Sequence, residues 1–268
     1  MCISDRRRRQ EEQRSGAHRL TAFHSFQFTD RVVESNITFE HRIVDDAGKH
    51  YKAVHYDHGN GISVADVDGD RRYDIYFVTQ MGSNQLWRNL GGGRFEDITD
   101  QAGVGLEDRI SVAASFADVD NDGDLDLYVV TVYNDANMLL INDGTGTFIN
   151  EAGSAGGGVD TSIEARTTAF GDVDNDGDLD LYVVNRDQEN ALFRNDDGAF
   201  ANVSEAAGVD HEGWAMGVAA ADYDRNGWTD LFVTNFDGTD LLYRNRGDGT
   251  FENVSRQSGV AGERGLWS

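Results

Sequence analysis

One acidic motif occurs four times in this chain of 268 residues, and the first aspartates of successive copies lie 52, 54 and 50 residues apart. The copies are ADVDGDRRYDIYFV from Ala65, ADVDNDGDLDLYVV from Ala117, GDVDNDGDLDLYVV from Gly171 and ADYDRNGWTDLFVT from Ala221. A period of about fifty residues is that of one four-stranded propeller blade, a unit that buries its apolar faces only by stacking on its neighbours. The rest of each copy keeps the same frame. N-x-L-aromatic-R-N follows at Asn84 to Asn89 and Asn190 to Asn195, and Asp240 to Asn245 repeats it with Asp first. Asn137 to Asn142 is looser, with Leu140 and Ile141 at the aromatic and arginine places. A glycine turn then leads to Phe95, Phe148, Phe200 or Phe251, and nine residues beyond three of these stand Val104, Val209 and Val260, each after a glycine.

Strand signals fit this frame. The apolar runs Ile62 to Ala65, Asp74 to Thr79, Leu86 to Arg88 and Arg94 to Ile98 are separated by turn residues, and three to four such runs per copy is the pattern of a blade. The run after each acidic window (DIYFV, DLYVV or DLFVT) is apolar on both faces, as expected of a central strand between neighbouring blades. The chain holds 31 Gly and no Pro, in keeping with short strands joined by glycine turns. The expected fold is all-β: a β-propeller of four complete four-stranded blades over 57–104, 105–157, 158–209 and 210–260. Partial blade segments are expected at 21–56 and 261–268. Phe28-Thr29-Asp30, with Ile37 nine residues after Phe28, repeats the tail of a blade, and Gly265-Leu266-Trp267 resembles Gly213-Trp214. Those ends fit four blades of a longer propeller or, alternatively, a closed four-bladed ring. Residues 1–20, with the run Arg6 to Arg9, read as a disordered basic tail.

The charge is concentrated in the repeats. With 48 Asp+Glu against 23 Lys+Arg the formal charge is −25, which opposes binding to phosphate backbones and excludes nucleic acid as a general partner. No apolar run is long enough for a membrane span. The four nine-residue windows hold 17 of the 48 acidic residues, so a positive ligand is expected in them. In D-x-D-x-D/N-G-x-x-D, side-chain oxygens stand at positions 1, 3, 5 and 9, position 7 offers its main-chain carbonyl, and glycine turns the chain at position 6. That is an oxygen cage for a hard cation, and its many flexible oxygens favour calcium over magnesium. Zinc and copper are disfavoured, because no His or Cys falls in the windows.

Up to four calcium ions are expected. The second window offers Asp118, Asp120, Asp122, Asp124 and Asp126, and the third Asp172, Asp174, Asp176, Asp178 and Asp180. The fourth, Asp222, Asp224, Asn226, Trp228 and Asp230, has lost one charge and is expected to bind more weakly. So is the first, Asp66, Asp68, Asp70, Arg72 and Asp74, because Arg71 stands where glycine belongs. If position 6 has positive φ, a side chain there costs on the order of 1 kcal/mol.

The windows, with their N-x-L-aromatic-R-N and glycine-turn-Phe tails, resemble FG-GAP/VCBS repeats, specifically those of the ASPIC/UnbV (cartilage acidic protein-like) family. Tyr56-Asp57-His58-Gly59-Asn60-Gly61 before the first window is similar to that group too. The resemblance covers about Phe28 to Ser268. It implies an extracellular or periplasmic calcium-bearing propeller of about seven blades. The function it suggests is a binding or adhesion module for a protein or glycan. A polysaccharide lyase or hydrolase working in the propeller funnel is the enzyme alternative, and a spacer domain the structural one.

Other motifs carry less. His211-Glu212 opens an H-E-x-x-H in which Ala215 replaces the second His, so it is no zinc site. His41, His50, His55 and His58 bracket an insertion before the first window and show no recurring ligand spacing. Arg246-Gly247-Asp248 falls in a hairpin turn. Asn36-Ile-Thr38, Asn202-Val-Ser204 and Asn253-Val-Ser255 are glycosylation sequons, the last two at one blade position.

Overall fold

A computed structural model describes residues 29–42, 61–132, 135–160, 165–236 and 238–261. The basic tail, Phe28, His50, His55, His58, Tyr56 to Asn60 and Gly265 to Ser268 lie outside the described residues. Each copy of the motif forms an antiparallel sheet in chain order. The first is β1 (Ile62–Ala65), β2 (Asp74–Phe77), β3 (Gln85–Gly91) and β4 (Arg94–Asp97), and the second β5 (Ser111–Ala117), β6 (Asp126–Thr131), β7 (Met138–Asn142) and β8 (Phe148–Asn150). The third is β9 (Ala165–Gly171), β10 (Asp180–Glu189), β11 (Ala191–Asp196) and β12 (Ala199–Asn202). The fourth is β13 (Glu212–Ala221), β14 (Asp230–Asn235), β15 (Leu241–Asn245) and β16 (Phe251–Asn253). The leading strands β1, β5, β9 and β13 contact one another in sequence, the arrangement of propeller blades around an axis.

The cores lie between the sheets. Successive residues of a strand face opposite ways, so β6 sends Leu127 and Val129 back to Tyr76, Val78 and Leu86 of the first sheet. Its Tyr128 and Val130 point forward to Leu181 and Val183 of the third. Every residue of β6 is buried, which is why DLYVV reads as apolar throughout. Two buried hydrogen bonds then tie each boundary. The central tyrosine donates to a valine carbonyl on the link between its own sheet and the next: Tyr76 to Val104 at 2.8 Å, Tyr128 to Val159 at 2.7 Å and Tyr182 to Val209 at 2.7 Å. The last asparagine of N-x-L-aromatic-R-N reaches into the preceding sheet's acidic loop. Asn142, Asn195 and Asn245 donate from Nδ2 to the carbonyls of Val67, Val119 and Val173 at 2.9, 2.7 and 2.7 Å.

One-turn helices end the copies: α2 (Thr99–Ala102), α3 (Ala152–Ala155), α4 (Ser204–Ala207) and α5 (Ser255–Ser258). Period-2 reading of the sequence had no signal for so short a turn. An Asp or Asn two residues ahead leads into each through an Asx turn, with Asp97, Asn150, Asn202 and Asn253 accepting the N–H of the first helical residue. In the same turns the hydroxyls of Thr99, Ser204 and Ser255 accept from Leu86, Leu192 and Leu242. The two in-register sequons are therefore turn residues, and Asp97-Ile98-Thr99 does the same work in the first copy. A further helix, α1 (Val32–Ser35), repeats this tail ahead of the first sheet, with Asp30 accepting from Val32 N at 3.0 Å.

One pairing was not legible in the repeat. β10 runs on past its blade and pairs with the start of β13 (Arg186↔Trp214, Glu189↔Glu212), joining the third and fourth sheets into one of eight strands. The Arg186 guanidinium lies 4.4 Å from the Trp214 ring centroid at this junction.

Candidate metal centres

Each acidic window is the loop from the first to the second strand of its sheet, and its turns follow from backbone donors meeting carboxylates. The position-6 N–H donates to the position-1 carboxylate: Arg71 to Asp66 at 2.7 Å, Gly123 to Asp118 at 3.1 Å, Gly177 to Asp172 at 3.2 Å and Gly227 to Asp222 at 2.9 Å. The position-7 N–H donates to position 5, from Arg72, Asp124, Asp178 and Trp228 to Asp70, Asp122, Asp176 and Asn226, at 2.8 to 2.9 Å. Position 6 does need the left-handed conformation, and Arg71 adopts it at φ 68° as the three glycines do at 90° to 103°. Position 4 is left-handed as well, at Gly69, Asn121, Asn175 and Arg225. The Asn at two of these places was the sequence signal for it, since Asn tolerates that region.

Position 9 has a structural duty of its own. Asp74, Asp126, Asp180 and Asp230 are at most 1% exposed. One oxygen of each accepts the N–H of position 2, and the other accepts the N–H of the asparagine that ends the following N-x-L-aromatic-R-N segment or its looser second copy (Asn89, Asn142, Asn195 or Asn245), all at 2.7 to 3.1 Å. The ninth carboxylate thus staples the loop to the sheet.

Ligand atoms within 4.8 Å of one another come from Asp66, Asp68 and Asp70; from Asp118, Asp120 and Asp122; from Asp172, Asp174 and Asp180; and from Asp222, Asp224 and Asp230. Asp74, Asp126 and Asp176, expected as side-chain ligands, stand outside these groups, as do the side chains of Asp124 and Asp178 at position 7. Oδ1 of Asp118, Asp172 and Asp174 is buried with no hydrogen-bond partner. Buried carboxylate oxygens without a donor cost free energy that a cation recovers. The donor set is all oxygen, so the residues fit a hard divalent ion. The first loop differs in one respect. The Arg72 guanidinium lies on Asp70 and donates to the Asn89 carbonyl at 2.8 Å, placing a fixed cation against a would-be ligand.

Burial dominates the electrostatics. It raises the carboxyl pKa of Asp126 to about 6 and of Asp180 to about 7, and the neighbouring aspartates at positions 3 and 5 push the same way. A carboxyl raised in the folded state contributes stability that is complete below its unfolded pKa, near 3.9, and is lost as pH rises through the folded value. Without metal, the protein is expected to melt several degrees higher at pH 5 than at pH 8, an effect on the order of a few kcal/mol. Calcium should flatten that slope, since the ion replaces the protons. Melts in chelator across that range check it, and a midpoint that falls toward pH 5 would contradict the sign.

At the far end of β10 from its acidic loop lies a cleft of about 800 Å³, lined by Asp187, Glu189, Glu205, Asp210, Glu212 and Phe193 among others. It was not visible in the sequence, because it forms where β10 overruns its blade. Among the histidines, His41 is described, and neither of its ring nitrogens has a hydrogen-bond partner.

The FG-GAP-like repeat model matches four overlapping stretches, residues 66–129, 118–183, 172–233 and 222–268, each opening on the first aspartate of an acidic loop. The chain belongs to the FG-GAP-like repeat family. Over 143 residues this FG-GAP-like chain is 28% identical to Cartilage acidic protein 1 of Mus musculus and of Homo sapiens. The match covers 52% of this chain and 22% of those relatives, so the shared stretch is about a fifth of their length. A solved structure of an Agrocybe aegerita lectin that recognises non-reducing terminal N-acetylglucosamine overlaps 70% of the FG-GAP-like chain and 49% of its own, at 20% identity and TM-score 0.44. Among the described residues no helix is long and apolar enough to cross a membrane.

Proposed function

We propose that this protein is a calcium-stabilised binding module that works outside the cytoplasm, with residues 21–268 as one propeller-type domain holding a protein or glycan ligand. The observation that carries the reading is the fourfold acidic loop, whose carboxylates are assembled by backbone donors while Oδ1 of Asp118, Asp172 and Asp174 is left without a partner. Asp66, Asp68, Asp70 and Asp74, with their counterparts in the other loops, would hold calcium, together with the position-7 carbonyls of Arg72, Asp124, Asp178 and Trp228. The ion supplies charge neutralisation and a rigid loop. The protein's residues orient the carboxylates and exclude bulk water from the ninth one. Calcium sites of moderate affinity fill where the ion is abundant, as it is outside the cell, and Cartilage acidic protein 1 as a relative supports the same location.

The loops should rank. Calorimetric titration of the chelated protein is expected to show the second and third loops binding calcium more tightly than the first, where Arg72 competes, and the fourth, where Asn226 lacks a charge. Asp122→Ala should remove a tight site, Asp70→Ala a weak one, and Arg72→Ala should tighten the first loop severalfold. Equal losses from Asp70→Ala and Asp122→Ala would contradict the ranking. The binding role is tested by presenting glycans and basic proteins to immobilised protein in calcium and then in chelator. Saturable capture released by chelation supports it, and turnover of a polysaccharide would favour the enzyme reading.

A further inference from the structure

The acidic loops touch across the blade boundaries, and these contacts are side chain to loop rather than sheet to sheet. Asn121, at position 4 of the second loop, donates from Nδ2 to Oδ1 of Asp178, at position 7 of the third, at 2.5 Å. The other Asp178 oxygen accepts the Asp197 N–H at 2.7 Å, so that side chain is held from both sides. Asn175, at position 4 of the third loop, donates to the carbonyl of Gly227, at position 6 of the fourth, at 3.0 Å. Both asparagines sit at positive φ, 58° and 60°, and that conformation brings each side chain to the next blade's loop. The contacted residues matter for the ion. Asp178 holds position 7, whose main-chain carbonyl is the ligand expected under the calcium reading, and Gly227 lies between Asn226 and Trp228, the fifth and seventh positions of its own loop.

We infer that the second, third and fourth loops form a coupled ladder, in which ordering one loop around calcium orders the next through Asn121 and Asn175. This rests on the calcium reading above. The first loop is the internal control. It has Gly69 at position 4, with no side chain to extend the ladder, although the Asn142 latch still joins its Val67 carbonyl to the second blade. A latch alone would couple all four loops, whereas the ladder couples three. Coupling between sites is reciprocal, so the effect must run in both directions along the ladder.

The test is a calcium titration followed by the amide resonances of Arg71, Gly123, Gly177 and Gly227, one reporter per loop. In the wild-type protein the three glycine reporters are expected to titrate together and steeply, and Arg71 separately. Asn121→Ala should raise the calcium midpoint of the second and third loops by about fivefold and desynchronise them. Asn175→Ala should do so for the third and fourth. Both asparagines are exposed and neither is a proposed ligand, so each variant should lower the melting temperature in chelator only by the cost of alanine at a left-handed position, about 2–4 °C. Gly69→Asn, at a left-handed position with nothing within 4 Å of an added Cβ, should draw Arg71 into the common transition. Glycine reporters that titrate independently in the wild-type protein, or that both alanine variants leave unchanged, would overturn the ladder while leaving calcium binding intact. An absence of any calcium-induced shift would overturn the calcium reading together with it.

Discussion

Chelating divalent ions is expected to lower the melting temperature of this protein by on the order of 20 °C. On the proposed function calcium would bind the assembled loops and not the unfolded chain, so each site would add about 2.7 kcal/mol at a hundredfold excess over its dissociation constant. For a chain of this size 1 kcal/mol is worth about 2–4 °C, and several sites acting together reach that shift. The repulsion that calcium would relieve is large, with 17 carboxylates in four short loops of a chain whose formal charge is −25. Magnesium should restore little, because it demands rigid octahedral geometry and retains its water. Thermal melts in chelator, calcium and magnesium at constant ionic strength measure this, and an unchanged midpoint would remove both the calcium reading and the extracytoplasmic location built on it.

The second large effect separates two kinds of aspartate. Asp180→Ala leaves the N–H groups of Val173 and Asn195 buried without an acceptor, and should cost about 3 kcal/mol even in chelator. Asp174→Ala removes a carboxylate whose Oδ1 has no donor, so in chelator it should be neutral or stabilising. In calcium the order of harm narrows, because Asp174→Ala then loses an ion ligand. Denaturant unfolding of both variants with and without calcium reads the difference. Equal destabilisation in chelator would show that the ninth position is no more structural than the third.

Most of the architecture was legible because a repeat states its register several times over. The alternation in DLYVV and the turn glycines placed the second strand of the first, second and fourth sheets within two residues of its observed limits, and the start of the third sheet's β10 at Asp180. The acidic windows likewise marked their positions 1 and 3, which come together in all four loops. Less legible were the residues whose duty depends on a neighbour. Nothing in N-x-L-aromatic-R-N says that its final Asn crosses to the previous blade, or that its Arg pairs across the sheet, as Arg88 with Glu96 and Arg244 with Glu252 do. The ninth Asp reads as a ligand from spacing alone, yet it is also the acceptor of two backbone donors. The overrun of β10 and the cleft beside it depend on a pairing between blades, which periodicity within one blade does not encode.

The asparagine latch also bears on how the protein is made. In all three instances the later blade reaches back to the earlier one, from Asn142 to Val67, Asn195 to Val119 and Asn245 to Val173. Ribosomes release about 5–20 residues per second, so successive blades emerge some seconds apart, far longer than strands and hairpins take to form. Each newly emerged blade therefore finds its acceptor already in place. The order of synthesis and the direction of closure coincide, so the nascent chain can lock itself blade by blade without reopening what it has already built.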